Sequence, residues 1–184
     1  MNVKNFPKRY PQDILETVEA IVDTYWPDKS IPVDIERIIE DAGLEIIPEH
    51  WLLKEHDIDA TLLSDFNSII VDAESYEKDS LLNRVRFSLA HEFGHYVLHK
   101  YFFEQNRIDP NKETLIYNLS DYEYRVLEYQ ANLFAGFLLI PEKEFHQYAV
   151  IEGKNETEMS RIFRVSTQCI RKWDEIYYKM HNEI

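Results

Sequence analysis

Apolar residues recur along much of the chain at intervals of three and four positions, the spacing of one face of an α-helix. Two of these patterns are long: the stretch from Ser80 has no internal proline, and the stretch from Ser120 continues until Pro141 stops it. A shorter pattern opens with a proline and closes with a glycine, as helices often do. The predicted helices are Gln12–Tyr25, a short one from Pro32 that ends at Gly43, Ser80–Tyr101 and Ser120–Leu139.

Three short segments have the apolar, β-branched composition of strands instead. The second and third are separated by the polar segment Ser64–Asn67, so we expect them to form a β-hairpin. A loop is expected at Asp109–Asn111. The predicted strands are Leu44–Pro48, Ala60–Leu63 and Ser68–Val71.

The C-terminal segment differs from the rest of the chain in its charge. Residues 154–184 include six basic and five acidic residues, a net charge of +1, whereas residues 1–153 carry −15. Two short helices are predicted between Glu156 and Met180, with Ser166 as the N-cap of the second. We therefore divide the chain into a domain of residues 1–153 and a helical segment of residues 154–184 that resembles a helix-turn-helix and packs on it.

The composition narrows the class of protein. With 184 residues, 45% of them hydrophobic, the chain can bury one core of ordinary size. The net charge of −14 repels phosphate backbones, so direct nucleic-acid binding is not expected, while an acidic face for a basic partner stays open. The longest apolar run, Leu133–Ile140, is too short for a membrane span. Cys169 is the only cysteine, which excludes an intrachain disulfide and favours a cytoplasmic setting.

The segment His91-Glu92-Phe93-Gly94-His95 has the H-E-x-x-H spacing of a metallopeptidase helix. Residues four apart lie one turn apart on one helix face, so both imidazoles can reach a single zinc ion. Glu92 adjoins the first of these ligands, where it can take a proton from a metal-bound water. We therefore predict a Zn²⁺ site with His91 and His95 as ligands and Glu92 as the catalytic base.

A catalytic zinc site needs a third protein ligand, which must come from elsewhere in the chain. Position 101 is Tyr101 and no helix-breaking glycine precedes it, so the metzincin arrangement with a third histidine is excluded. His99 lies one turn beyond the motif, and three histidines along one straight helix span about 12 Å, too far to share one ion. We expect His99 to support a ligand or to pack. Glu128 is the better third ligand, with Asn132 one turn away to orient a ligand by hydrogen bonding.

Two stretches of the sequence together resemble a known family. Arg86–His95 with His99, and Glu128–Ala135 ending in Leu138–Pro141, are similar to the two central motifs of the ImmA/IrrE-type metallopeptidases. The segment from Pro32 to Leu44 also fits the family, and the resemblance covers about residues 31–166. One departure is Ile140, where the family usually has methionine.

This resemblance implies an α+β, zincin-like fold. In it a small, mainly antiparallel sheet packs on the active-site helix, with additional helices and the C-terminal helical segment around them. It also implies that His91, His95 and Glu128 are the zinc ligands and that Glu92 is the general base. The family's characterised members cleave helix-turn-helix repressors of mobile elements or stress regulons. We therefore expect a zinc-dependent endopeptidase that derepresses transcription by cleaving such a repressor.

Two other functions stay open from the sequence. The protein can be a zinc-bound but proteolytically silent regulator that acts by binding a protein partner, as in a toxin–antitoxin pair. An intact Glu92 favours the protease, because a purely structural zinc site has no use for that base. The third function is a DNA-binding module that uses the C-terminal basic patch of Arg161, Arg164, Arg171 and Lys172. The charge of −14 counts against it.

Two details of the chemistry are open at the level of sequence. The group that stabilises the oxyanion is not singled out among Arg86, Tyr96 and Tyr101, which all lie near the motif. The strand Ser68–Val71 is expected to present an edge beside the metal helix, where an extended substrate can add as a further strand.

Overall fold

The computed structural model of the chain describes residues 6–56, 58–106 and 119–182. Helices make up most of the described structure, and three short strands form one small sheet. The loop expected at Asp109–Asn111 lies outside the described residues. The helices are α1 (Pro11–Tyr25), α2 (Ile35–Asp41), α3 (Leu52–His56), α4 (Ala73–Glu77), α5 (Leu82–Asn106), α6 (Asp121–Leu139), α7 (Glu142–Phe145, which continues as a π-helix over His146–Ile151), α8 (Glu156–Phe163) and α9 (Thr167–Asn182). The strands are β1 (Glu45–Glu49), β2 (Ala60–Leu62) and β3 (Ser68–Asp72).

The long predicted helices are confirmed, and the short one begins later than expected. Helix α2 starts at Ile35 and not at Pro32, because Asp34 caps it: the Asp34 side chain accepts a hydrogen bond of 3.2 Å from the N–H of Arg37. Its end is as predicted, since Gly43 adopts a φ of 88° that side chains disfavour. The short helices α3, α4 and α7 were not predicted, since each is too short to show a helical period.

The sheet has the order β1-β3-β2 and is mixed, not mainly antiparallel. Strands β2 and β3 pair antiparallel, which confirms the predicted hairpin. Strand β1 pairs parallel with β3, from Glu45 opposite Ser68 to Glu49 opposite Asp72. Between β1 and β3 the chain passes through α3 and β2, and β2 runs opposite to β3. Strand β3 can therefore run in the same direction as β1, which a direct hairpin between the two strands would not allow. Since β3 is the central strand, the prediction that it presents an edge is wrong. The edge beside α5 belongs to β2.

Helices α5 and α6 pack closely at a glycine within the histidine motif. A Cβ atom at Gly94 would lie 3.1 Å from Cδ1 of Phe134 and 3.3 Å from Cα of Ala131. Both Phe93 and Phe134 are fully buried beside this crossing, with their rings edge to face at 5.9 Å. The absence of a side chain at Gly94 therefore lets the metal-motif helix approach α6 at the level of the histidines.

Helix α9 packs on α6 through a second glycine contact. Gly136 lies against the buried Trp173, whose ring also meets Phe137 edge-on at 4.9 Å. The predicted N-cap of α9 is confirmed, because the Ser166 hydroxyl accepts from the N–H of Cys169 at 3.1 Å. The division of the chain at residue 153 remains a prediction. Among the described residues, no helix is long and apolar enough to cross a membrane.

Candidate metal centre

Three side chains from two helices converge at the crossing of α5 and α6. His91 and His95 lie one turn apart on α5, and Glu128 faces them from α6. The two Nε2 atoms are 3.1 Å apart, and they lie 3.4 Å and 3.3 Å from the Glu128 carboxylate oxygens. One ligand atom of each residue lies within 4.8 Å of the others. Two imidazole nitrogens and one carboxylate oxygen are a usual protein ligand set for a catalytic zinc ion, so the donors fit this metal.

The three side chains also form a charged cluster with one another. Burial by itself would raise the pKa of Glu128, but hydrogen bonds from His91 and His95 outweigh it and hold that pKa well below its usual range. Burial would lower the pKa of His91, but the carboxylates of Glu128 and Glu92 raise it above its ordinary value. A carboxylate and histidines that already attract one another are therefore held at the place where a cation would bind.

His99 supports the second histidine through a buried chain of hydrogen bonds. Its Nδ1 lies 3.1 Å from Nδ1 of His95, and its Nε2 lies 2.9 Å from Oε1 of Gln130. The Gln130 amide then donates to the backbone carbonyl of Pro7 at 2.8 Å. Burial, together with the nearby His95, lowers the pKa of His99 to about 3. A neutral His99 that donates from Nε2 to Gln130 must accept at Nδ1, so His95 donates from its Nδ1 and turns its Nε2 toward Glu128.

Asn132 contacts His91, as His99 contacts His95. Its Nδ2 donates to the backbone carbonyl of Glu128 at 2.7 Å. That orientation leaves the amide oxygen to accept from the ring of His91, and this hydrogen bond helps to raise the pKa of His91. The structure thus brings His99 and Asn132, the two residues predicted to support the ligands, against one histidine each. That they orient zinc ligands remains a prediction.

Glu92 lies on the side of the cluster next to the sheet. Its Oε2 accepts a hydrogen bond of 2.8 Å from the backbone N–H of Leu62 in β2. This contact holds the carboxylate between the metal-motif helix and the edge strand. Sequence reasoning did not predict it, because it joins residues 30 positions apart.

Tyr124 is a candidate functional residue near the cluster that was not predicted from the sequence. It lies one turn before Glu128 on α6, and its hydroxyl hydrogen-bonds to the Glu128 carboxylate. Burial, followed by the charges of Glu128 and Glu92, raises the pKa of Tyr124, so the hydroxyl stays protonated as a donor at neutral pH. The signal in the sequence was the spacing of four from Glu128, which puts both residues on one helix face.

The earlier oxyanion candidates lie elsewhere. Arg86 is buried and donates to the backbone carbonyls of Val33 at 2.6 Å and Arg164 at 3.2 Å, so it joins elements of the fold. The Tyr101 side chain is 68% exposed. Tyr96 stacks on Phe93, with Lys100 over its ring. None of these side chains is shown to contact the cluster of His91, His95 and Glu128.

The fold is a helix-rich α+β domain, and its cluster of His91, His95 and Glu128 could hold a metal ion. The family of IrrE N-terminal-like domains, peptidase M78, matches residues 76–172, which include both motif helices, and the chain belongs to this family. No curated protein matches the chain. A solved structure described as a Mycobacterium tuberculosis transcriptional regulator is similar, with a TM-score of 0.57 and 16% identity over 89% of this chain. The chain spans half the length of that protein, and the likeness shows a shared fold.

Proposed function

We propose that this protein is a zincin-like, zinc-dependent endopeptidase, and that it cleaves a helix-turn-helix repressor to derepress a mobile element or stress regulon. The observation that carries the proposal is the pairing of a His91–His95–Glu128 donor set with a carboxylate, Glu92, beside it. A purely structural zinc site closes its coordination with four protein ligands, whereas three ligands and an adjacent base are typical of hydrolytic sites.

In this proposal His91, His95 and Glu128 hold the zinc ion. When bound, zinc polarises the scissile carbonyl and lowers the pKa of a water to about 7. Glu92 takes the proton of the attacking water and passes it to the leaving amine. We assign oxyanion stabilisation to the Tyr124 hydroxyl, which is a protonated donor on the Glu128 side of the cluster.

We further propose that the substrate lies along β2. Two pairs at the ends of the β2–β3 ladder are joined by a backbone hydrogen bond: the N–H of Asp72 donates to the carbonyl of Asp59, and the N–H of Leu63 donates to the carbonyl of Ser68. Ladder bonds alternate along a strand, so the backbone groups of Ala60 and Leu62 point to the open edge. The N–H of Leu62 is held by Glu92, which leaves the carbonyls of Ala60 and Leu62 to receive main-chain N–H groups of an extended peptide.

The choice of a DNA-binding repressor as the partner is based on the family and on the net charge of the chain. The structurally similar Mycobacterium tuberculosis protein is described as a transcriptional regulator, which agrees with a role in transcription. A net charge of −14 favours association with a basic protein, and DNA-binding proteins are basic. A non-proteolytic regulator that binds the same repressor has the same partner, so only a test of the chemistry separates the two functions.

The test is co-expression of the zinc-loaded protein with a helix-turn-helix repressor encoded beside its gene. We expect the wild type to produce defined repressor fragments and Glu92→Gln to leave the repressor intact while it retains stoichiometric zinc. Glu104→Gln, at an exposed position on the same helix, is the matched control and should cleave as the wild type does. Equal loss of the repressor with wild type and Glu92→Gln would refute proteolysis. Binding without cleavage by either protein would support the silent regulator instead.

A further inference from the structure

A groove next to the metal centre is not used by the chemistry above. It lies between α5, α6 and α9, next to the start of β2, and has a volume of about 440 Å³. We call it the α9 groove. Its apolar lining includes Phe87, Leu133, Trp173 and Ile176, and Asp59 and Lys172 lie among its polar residues.

The groove continues from the metal centre. Asn132 lines it and also hydrogen-bonds to the ring of His91. Ser88 lines it three residues before His91, and so lies almost one turn along the same helix face. Asp59 lines it directly before Ala60, the first residue of the edge strand. A peptide that crosses the metal centre along β2 therefore reaches this groove at the strand's N-terminal end.

The direction of the peptide follows from strand pairing. Antiparallel pairing is slightly more stable per residue than parallel pairing. A peptide antiparallel to β2 runs from Leu62 toward Ala60, so the part beyond the scissile bond in the C-terminal direction comes to the α9 groove. An unpaired charge is costly on the apolar lining of the groove, whereas the burial of a large apolar side chain there is favourable.

On the basis of the proposed function, we propose that the α9 groove is the specificity pocket of the protein. It takes a large apolar side chain of the substrate on the C-terminal side of the scissile bond. The C-terminal helical segment thereby gains a role, because α9 supplies Trp173 and Ile176 to one wall of the pocket.

The experiment measures binding apart from cleavage. Zinc-loaded Glu92→Gln protein is used to select binders from a random peptide library displayed on phage, and the affinities of selected peptides are then measured by calorimetry. We expect the selected peptides to share one large apolar residue. Its replacement by alanine should weaken binding about tenfold or more, as for a buried anchor.

Three variants in the Glu92→Gln background locate the binding site. Cys169→Phe fills the α9 groove and should weaken the selected peptides about tenfold or more, while Asp174→Phe, on the exposed side of the same helix, should not. Ile176→Ala enlarges the groove and should shift the selection toward larger side chains. Selected peptides without a shared apolar residue, no selected peptides, or equal affinity for folded Cys169→Phe would each overturn the proposal.

A second copy of the chain is the competing occupant. A dimer of the Glu92→Gln protein in sedimentation that Cys169→Phe converts to monomer would show that the groove is an interface between copies, and would overturn the pocket. The proposed function fails separately, since it is judged by repressor cleavage with wild-type Glu92. A groove that binds apolar peptides in a protein that does not cleave the repressor would refute the proposed function and leave the peptide-binding role of the groove standing.

Discussion

Replacement of His99 by phenylalanine tests what the hydrogen bonds of this buried histidine contribute, because phenylalanine fills a similar volume without making them. His99 is fully buried, and its two ring nitrogens face Nδ1 of His95 and Oε1 of Gln130. Phenylalanine keeps an aromatic ring at this position but lacks the two ring nitrogens, so His95 and Gln130 both lose their hydrogen bond to residue 99. The proton of His95 then has no acceptor, and the preference that turns its Nε2 lone pair to the metal is lost.

The expected magnitude follows from these contacts. Loss of a hydrogen-bond partner behind a metal-bound histidine typically weakens metal binding 10- to 100-fold, which is about 1.4–2.7 kcal/mol. The metal-free protein should also lose stability, because two buried groups are left unsatisfied at about 1–3 kcal/mol each. His99→Ala should lose more stability than His99→Phe, since it also leaves a cavity.

Zinc affinity is measured by competition with a chelator, and the stability of the metal-free protein by urea unfolding. Tyr101→Phe is the control, since Tyr101 lies on the same helix with a mostly exposed side chain, and it should match the wild type in both assays. His91→Ala should abolish stoichiometric zinc, whereas His99→Phe at saturating zinc should still bind one ion. If His99→Phe binds zinc with the wild-type affinity, the hydrogen bond between His99 and His95 does not orient the ligand.

Three further outcomes are expected. Tyr124→Phe should lower kcat/KM for cleavage of the repressor about 100-fold or more in protein that still binds one zinc ion; unchanged kinetics would remove Tyr124 from the mechanism. Gly136→Ala should destabilise the protein by about 1–3 kcal/mol in urea unfolding, because the new Cβ would lie 2.4 Å from Cζ3 of Trp173; a more stable variant would contradict the close contact. Asp72→Asn should cost about 1–3 kcal/mol at pH 7, because the Asp72 carboxylate accepts from the N–H groups of Leu53 and Ser75. Burial by itself would raise the pKa of Asp72, but these hydrogen bonds outweigh it and lower that pKa below its value in the unfolded chain. The contribution of the Asp72 carboxylate to stability is therefore full above the unfolded pKa of about 3.9 and is lost as the pH falls through the lower folded pKa. A difference between wild type and Asp72→Asn that does not shrink in that acid range would contradict this assignment.

The local pattern of the sequence determined most of the helices and both motifs. The spacing of His91 and His95 is enough to put them on one helix face, since four residues make about one turn whatever the rest of the fold does. In the same way Ser166 predicts a helix start, because capping is a contact between neighbours in sequence. The choice of Glu128 over His99 as the third ligand also needed only helix geometry and the character of the second motif helix.

Only the tertiary structure decided how the sheet is ordered and what surrounds the metal centre. The parallel pairing of β1 with β3, the hydrogen bond from Leu62 to Glu92 and the chain from His99 through Gln130 to Pro7 all join distant parts of the sequence. Such contacts leave no local period, because they depend on which elements the packing of the core brings together. The same holds for the α9 groove. Its lining comes from three helices and from Asp59 before β2, so its existence follows from how those elements pack and from no single stretch of the chain.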